Sequence, residues 1–425
     1  MSRRMKPMAV QKNWAGNYTY HATNWYEPTS VEEIQTLVAK LDKVRVVGSR
    51  HSFNGIADSY QNILSLAKLN KVIALDEQKM TVTVEGGIRY GDLSRYLHDK
   101  GYALPNLASL PHISIAGACA TATHGSGDKN QCLSKTIAGM KVVTANGELI
   151  SFSREEDAEQ LKGAAVGLGG LGVITELTLD LIPSFSIRQN VFEDLSFSQL
   201  EHHLEDIFSS AYSVSLFTNW EKDGFHQVWI KQLHREDSVE ERDTFFGANP
   251  ATAPSHPILG VEPIHCTEQL GAPGPWYDRL PHFRLDFTPS NGDELQSEYI
   301  VPREHAYDAL LAVRQHKDKL SPLLHVCEIR SIASDDLWMS PFYQQDSIGI
   351  HFTWKDNWEA VEKILPSIEE SLFPFQARPH WGKLFTMPKE NVQSLYKKLP
   401  DFQQLLQQYD PDGKFRNEFI ETYVF

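Results

Sequence analysis

Polar side chains fall at every second position on two strand-like runs. On Val326-Cys327-Glu328-Ile329-Arg330, Glu328 and Arg330 share one face of an extended chain. On Ile350-His351-Phe352-Thr353-Trp354, His351 and Thr353 share one face, while Ile350, Phe352 and Trp354 take the other. A carboxylate, a guanidinium, an imidazole and a hydroxyl in a row supply the donors and acceptors that a polyhydroxylated ligand lying across a sheet requires. The same alternation describes a sheet with one solvated face, and spacing alone leaves both open. His380-Trp381-Gly382-Lys383 adds an imidazole, an aromatic ring, a glycine and a cation close together. His202-His203-Leu204-Glu205 has metal-ligating side chains, but it lies in a charged amphipathic run and reads as the wet face of a helix.

Two loops in the first half have the texture of a cofactor cradle. Val46-Val47-Gly48-Ser49-Arg50-His51-Ser52-Phe53-Asn54 is a strand running into small and polar residues, where successive N–H groups can form an anion-binding nest. Ser114 to Gly127 is built almost wholly from Ala, Gly, Ser, Thr and Cys, so its backbone can approach a ligand closely. A pair of surface turns fits the same residues. No Lys-Ser/Thr phosphate loop accompanies them, which argues against nucleotide hydrolysis. Gly167-Leu168-Gly169-Gly170-Leu171-Gly172 is a literal GxGxxG, but the order around it is reversed. A helix-like segment (156 to 165) precedes it and a strand (173 to 179) follows, whereas a dinucleotide loop must leave a strand and open a helix.

The elements that must position these residues alternate through residues 13 to 185. Ser30-Val31-Glu32-Glu33 is a capping box for a helix with Val31, Ile34, Leu37, Val38 and Leu41 on one face. Lys71 to Leu75 and Met80 to Val84 read as paired strands, and Leu93 to Lys100 as a helix capped by Asp92 and stopped by Gly101. Asn146-Gly147 predicts a type I′ hairpin. Beyond residue 186 come strand-like runs at 214–217, 227–231, 298–301, 326–329 and 349–354, with helices over 303–316 and 358–372. Residues 236 to 275, rich in Pro, Gly and charge, predict an irregular excursion. Interleaved strands and helices indicate α+β or α/β architecture, with a second domain built on an antiparallel sheet flanked by helices.

The 425 residues suit two or three domains, and a formal charge of −15 argues against nucleic acid or an anionic membrane as partner. No run reaches the roughly 18 to 20 apolar residues of a spanning helix, and the basic N-terminus lacks the apolar stretch of a secretory signal. Cys119, Cys132, Cys266 and Cys327 are scattered and form no CxxC pair, which suits a reducing cytoplasm.

Taken together, Asn13-Trp14-Ala15-Gly16-Asn17, Gly48 to Asn54, Leu107 to Ser114 leading into Thr123 to Gly127, Glu328-Ile329-Arg330, His351 to Lys355 and His380 to Lys383 resemble a known family. The first half is similar to the FAD-binding (PCMH-type) domain of the vanillyl-alcohol-oxidase flavoproteins. The whole chain resembles the sugar-alcohol (alditol, xylitol) oxidases, in the branch that also holds the aldonolactone oxidases.

That resemblance implies an α+β fold and an FAD held with its pyrophosphate on the 45–51 loop (Arg45, Val46, Val47, Gly48, Ser49, Arg50, His51), continuing to Ser52, and on the 117–125 loop (Gly117, Thr121, His124, Gly125). Ser109, Ser114 and His380 would also touch the cofactor, and Gly172, Val173 and Ile174 would line its adenine end. His51 matches the histidine bonded covalently to the flavin 8α-methyl. Lys383 and Arg330 would lie beside the substrate C1 hydroxyl, with Lys383 either the base or an electrostatic stabiliser. Ser109, Glu328, His351 and Thr353 would bind the remaining hydroxyls. Ala108 falls where the family sets oxygen access. The implied reaction oxidises the terminal hydroxyl of xylitol or sorbitol to the aldose by hydride transfer to flavin N5, with dioxygen reduced to hydrogen peroxide.

An aldonolactone oxidase or dehydrogenase (acting on L-gulono- or D-arabinono-1,4-lactone) is the alternative that the same loops allow. A non-catalytic sugar-binding protein on this fold would be colourless. By the same analogy the FAD-binding domain spans 12–186 and the substrate domain 187–378. The segment 379–425 returns to the first domain, and the protein is a cytoplasmic monomer without a bound metal.

Overall fold

The apolar runs Val44–Val47 and Asn62–Ser65 are almost wholly buried and pair in parallel, and Asn24–Tyr26 adds a third strand beside Asn62–Ser65. The fold is that of a computed structural model, which describes residues 11–234, 243–287 and 294–425. The helix Val31–Lys40 starts where its sequence directs: Glu33 N donates to Ser30 Oγ at 3.2 Å, and Ile34 and Val38 are buried. Glu33 reaches back to Thr29 N, one residue short of the reciprocal bond that a capping box uses.

A five-stranded antiparallel sheet follows, in the order Val72–Asp76, Thr81–Glu85, Val173–Asp180, Ile137–Val143, Leu149–Ser153. The predicted type I′ hairpin at Asn146-Gly147 is different in the structure. Thr144 N bonds Glu148 O across a three-residue loop in which Gly147 has φ +85° and Asn146 does not have positive φ. That is the three-residue loop closed by a left-handed glycine, which leaves Asn146 free to accept from Glu148 N at 3.1 Å. The predicted helix at 93–100 starts earlier, as Tyr90–Asp99. Asp92 sits in its first turn instead of capping it, and Gly101 stops it at φ +83°.

The largest sheet is antiparallel. Its described strands run Asn249–Pro250, Ser186–Ser196, Gly224–Leu233, Ser213–Thr218, Leu324–Ile332, Ser347–Lys355, Glu294–Pro302, Arg378–Pro379, with Gly274–Pro275 also on Ser186–Ser196. Alternation divides its faces. Leu216, Val228, Leu295, Tyr299, Ile329, Ile350, Phe352 and Trp354 pack on the helices Ser198–Ser209, Ala306–Arg314 and Trp358–Leu372 in one buried cluster. The opposite face carries Glu298, Glu328, Arg330, His351 and Thr353. His202 and Glu205 are exposed on the helix Ser198–Ser209, as the amphipathic run predicts. Over 243–275 the chain forms only two-residue strands and a short 3-10 turn, the expected irregular excursion; residues 236–242 of that prediction lie outside the described residues.

The last residues turn back. Trp381, Phe402, Leu406, Phe415 and Ile420 are buried in the same apolar cluster as the first two sheets. Val44 N donates to Lys414 O, and Asn417 Nδ2 donates to Gly55 O at 2.9 Å. The four cysteines are buried and free. Among the described residues no helix is long and apolar enough to cross a membrane.

Candidate active site

The two small-residue loops lie against each other. Ser49 N donates to Ser114 Oγ at 3.2 Å, and Ser114 N donates to Ser49 Oγ at 2.9 Å, a reciprocal clasp. Gly48 is required at their crossing, because a Cβ there would lie 1.9 Å from Ser114 Oγ. The clasped loops form one wall of a cavity of about 660 Å³; the polar face of the large sheet and part of the excursion form the rest.

Most of the residues singled out in the sequence meet around this cavity. Arg45, Val46, Val47, Gly48, Ser49, Arg50, His51, Ser52, Ser114, Gly117, Thr121 and His124 come from the first half with Ala108 and Ser109; Glu328, Arg330, His351, Thr353, His380 and Lys383 come from the second. Gly125, Gly172, Val173 and Ile174 do not reach it. Gly125 packs on Asn106 and Leu107, and Gly172 on Val143 O, while Val173 and Ile174 pair with Val143 and Val142 inside the five-stranded sheet.

Arg45 lines the cavity while its side chain is anchored inward. Its guanidinium donates to Gly169 O at 2.8 Å, Phe415 O at 2.6 Å, Leu168 O at 2.8 Å and Ile56 O. Both of its terminal nitrogens are engaged by backbone carbonyls. The GxGxxG run is thereby explained: its turn, with Leu168 and Gly169 at positive φ, presents two carbonyls to a buried cation.

His51 stacks on Trp14, with ring centroids 5.1 Å apart and planes 18° apart. Both of its ring nitrogens are buried without a well-formed hydrogen bond among the described residues. Burial, reinforced by His112, Arg89 and Arg50, lowers its pKa to about 3, so the imidazole is neutral and its lone pair available.

The second-half cluster is organised by Glu298, a buried carboxylate that the sequence reading did not single out. Its strand pairs with Ser347–Lys355 so that Glu298 stands opposite His351, which stands opposite Glu328. Lys383 Nζ donates to Glu298 Oε2 at 2.6 Å, and Arg330 Nη2 donates to Oε1 at 2.9 Å. His124 Nε2 lies 3.2 Å from Oε1. Gly349 leaves room for this meeting, since a Cβ there would sit 3.0 Å from Glu298 Oε1. Burial raises the Glu298 pKa, but Lys383, Arg330 and His124 outweigh it and hold the carboxyl well below its usual range.

Lys383 Nζ also lies 2.6 Å from His351 Nδ1, and His351 Nε2 lies 3.2 Å from Thr353 Oγ1. Burial, aided by Lys383, lowers the His351 pKa to about 4. The neutral ring therefore accepts from Lys383 at Nδ1 and donates from Nε2 to Thr353, which leaves the Thr353 O–H free to donate. Arg330 Nη1 donates to Ser109 Oγ at 3.2 Å, leaving the Ser109 O–H equally free. Burial lowers the Lys383 pKa, with Glu298 opposing and Arg330 assisting.

His124, Glu298 and His380 are close enough to suggest a metal centre, their ligand atoms all within 4.8 Å of one another. Arg330 and Lys383 already donate to the two Glu298 oxygens, which makes an added ion unfavourable, and the trio is read as buried side chains packed around that carboxylate. Two further groups escaped the sequence reading. His282, seven residues beyond the excursion, donates through Nε2 to Glu328 Oε1 at 2.8 Å, and buried Lys231 lies beneath it. Glu298 continues the alternation of Gln296 against Leu295 and Tyr299, a signal that was present; His282 lies in an aperiodic run with none.

Comparison with known proteins follows this geometry. The FAD binding domain family matches residues 24–153, and the D-arabinono-1,4-lactone oxidase family matches residues 292–423. The chain is 45% identical over 415 residues to the alditol oxidase of Streptomyces sp. (strain IKD472 / FERM P-14339), covering 97% of this chain and 98% of that one. It is 28% identical over 433 residues to the L-gulono-1,4-lactone dehydrogenase of Mycobacterium tuberculosis, covering 98% and 99% of the two chains. The crystal structure of cholesterol oxidase from B. sterolicum has the same fold, with a TM-score of 0.78 at 13% identity, covering 98% of this chain and 96% of that one.

Proposed function

The chain belongs to the alditol oxidase family, and from that premise we propose that it oxidises the terminal C1 hydroxyl of open-chain polyols such as xylitol and sorbitol to the aldose. It is an FAD-dependent oxidoreductase. FAD, when bound, accepts the hydride from C1 and passes its electrons to dioxygen, giving hydrogen peroxide. The observation that carries the polyol reading is the set of hydroxyl-reading groups that face the cavity. Ser109 and Thr353 have O–H groups free to donate, and Glu328 has one oxygen, Oε2, beyond hydrogen-bond reach of Arg330 Nε at 3.7 Å. A polyol needs both donors and acceptors along its length, and an analogue lacking a hydroxyl leaves one of these groups unpaired.

The residues present fit the cofactor. The Ser49–Ser114 clasp, with Gly48 bare between, is a backbone cradle, and orphaned neutral His51 is suited to bond the flavin 8α-methyl. Gly48 to Ser52, Ser114, Gly117 and Thr121 would hold the cofactor. Lys383 takes the hydroxyl proton: a neutral amine donating its two N–H groups to Glu298 and His351 keeps its lone pair for the substrate. Arg330, fixed by Glu298 and Ser109, stabilises the charge that develops on the substrate oxygen.

The domain limits 12–186, 187–378 and 379–425 belong to this reading, supported by two large apolar clusters, one of which takes in the C-terminal residues. A cytoplasmic monomer is proposed with it, supported by the formal charge of −15 and four free buried thiols. The match of 292–423 to the D-arabinono-1,4-lactone oxidase family favours a lactone as the second reading.

Anaerobic flavin bleaching decides between them. Bleaching by xylitol, with recovery and peroxide on admitting air, is the expected result; bleaching only by galactono-lactone would transfer the protein to the second reading. His51→Ala is expected to make the flavin extractable by acid, and colour that stays with the precipitate would refute the covalent bond.

A further inference from the structure

We infer that His282 is a positioning residue for hydroxyl recognition, closing a ring that fixes Ser109, Arg330 and Glu328 relative to one another. This rests on the polyol reading of the site. Around the ring, His282 N donates to Ser109 O at 3.1 Å and His282 Nε2 donates to Glu328 Oε1 at 2.8 Å. Glu328 Oε2 lies 3.7 Å from Arg330 Nε, and Arg330 Nη1 donates to Ser109 Oγ at 3.2 Å. His282 therefore joins, through one backbone and one side-chain bond, the donor and the acceptor assigned to different hydroxyls of the substrate.

The imidazole is itself held from below. Lys231, buried on the strand Gly224–Leu233, donates from Nζ to Pro281 O at 3.1 Å, to Leu280 O, and to His282 Nδ1 at 3.2 Å. Arg330 and His282 hold Glu328 ionised, and a carboxylate only accepts, so the neutral ring carries its proton on Nε2, pointing at Glu328, and Nδ1 accepts from Lys231. The ring plane is set by Trp229 and Phe217, whose centroids lie 5.2 and 5.6 Å away in edge-on contact. His282 thus occupies one oxygen of Glu328 and reserves the other for the substrate. The separation between the Ser109 hydroxyl and that oxygen selects which pair of substrate hydroxyls is read. Since the ring carries neither the departing proton nor the hydride, His282 acts on binding and leaves the bond-breaking step to Lys383.

The test compares His282→Phe, which keeps the aromatic slot and the backbone bond to Ser109 O but removes the side-chain bonds to Glu328 and Lys231, with His282→Gln, whose amide N–H reaches the Nε2 position. In the FAD-loaded enzyme, His282→Phe is expected to raise KM for the polyol on the order of tenfold, one unpaired buried acceptor's worth, with the limiting rate of flavin reduction within about threefold. His282→Gln is expected to recover most of that loss. An unchanged KM in His282→Phe, or equal losses of rate and KM in both variants, overturns the inference. If His282→Phe fails to fold, Lys231→Met carries the same prediction, because it releases the imidazole without touching Glu328. A wild-type enzyme bleached only by a lactone overturns the polyol reading instead; the ratio of KM for His282→Phe to that of wild type, measured on the lactone, then decides the role of His282 separately.

Discussion

Lys383 and Glu298 form the closest charged contact in the cavity, at 2.6 Å, and their mutual dependence makes the proton chemistry testable. Lys383→Ala removes the proposed base but none of the loops assigned to the cofactor. Flavin reduction by substrate in stopped flow is expected to fall by about 10² to 10⁴ while the protein stays yellow. A variant that kept a tenth of the normal rate would take Lys383 out of the chemistry. Glu298→Gln tests the same amine through its partner. The Glu298 charge raises the Lys383 pKa, so removing it lets burial and Arg330 lower that pKa further. A base acts when deprotonated, and the pH at which the reduction rate reaches half its plateau should move down. A limb that stays or moves up would assign that titration to another group. Stability falls as well, by about 1.5 to 3 kcal/mol, because buried Arg330 loses the nearer of its two carboxylates.

At the scale of elements, what was legible in the sequence was what local periodicity carries. The strand Ser347–Lys355 places His351 and Thr353 on the cavity wall because Ile350, Phe352 and Trp354 must be buried on the other side. The alternation of Gln296 and Glu298 against Leu295 and Tyr299 is local as well, but only the pairing of Glu294–Pro302 with that strand sets Glu298 opposite His351, and a pairing between distant segments leaves no trace in local spacing. Arg45 is a sharper case: its neighbours mark an anion-binding loop, yet its side chain turns inward to carbonyls more than 100 residues away at Gly169 and Leu168, and to Phe415. It pins the glycine turn and the returning C-terminus to one strand. Arg45→Met should therefore behave as a folding variant. At about 1 to 3 kcal/mol for each buried acceptor left unpaired, the unfolding free energy from urea titration should fall by several kcal/mol. A change within about 0.5 kcal/mol, the range of an ordinary surface substitution, would return Arg45 to the ligand-binding role its position suggests.

At the scale of the whole molecule, the order of the chain and the unit that folds do not coincide. The first-half core includes Trp381, Phe402, Leu406, Phe415, Ile420 and Val424, all of them buried. Asp410 fixes the approach, accepting from Lys414 N at 2.6 Å and Phe415 N at 2.8 Å, and Lys43 Nζ reaches back to Gly413 O at 2.6 Å. Burial of a large apolar side chain stabilises by about 1.5 to 3 kcal/mol, so these six account for about as much as the 5 to 15 kcal/mol that holds a typical domain folded. A fragment ending at residue 186 loses all of them and leaves Arg45 without Phe415. It should keep helical and strand content in far-ultraviolet circular dichroism but lose the near-ultraviolet signal of fixed aromatic packing. Joining residues 379–425 to it through a flexible linker should restore that signal, with a cooperative denaturant transition. A fragment 12–186 that is cooperative by itself would show that the C-terminal return is an ornament on a finished core, and the proposed three-part division would reduce to two.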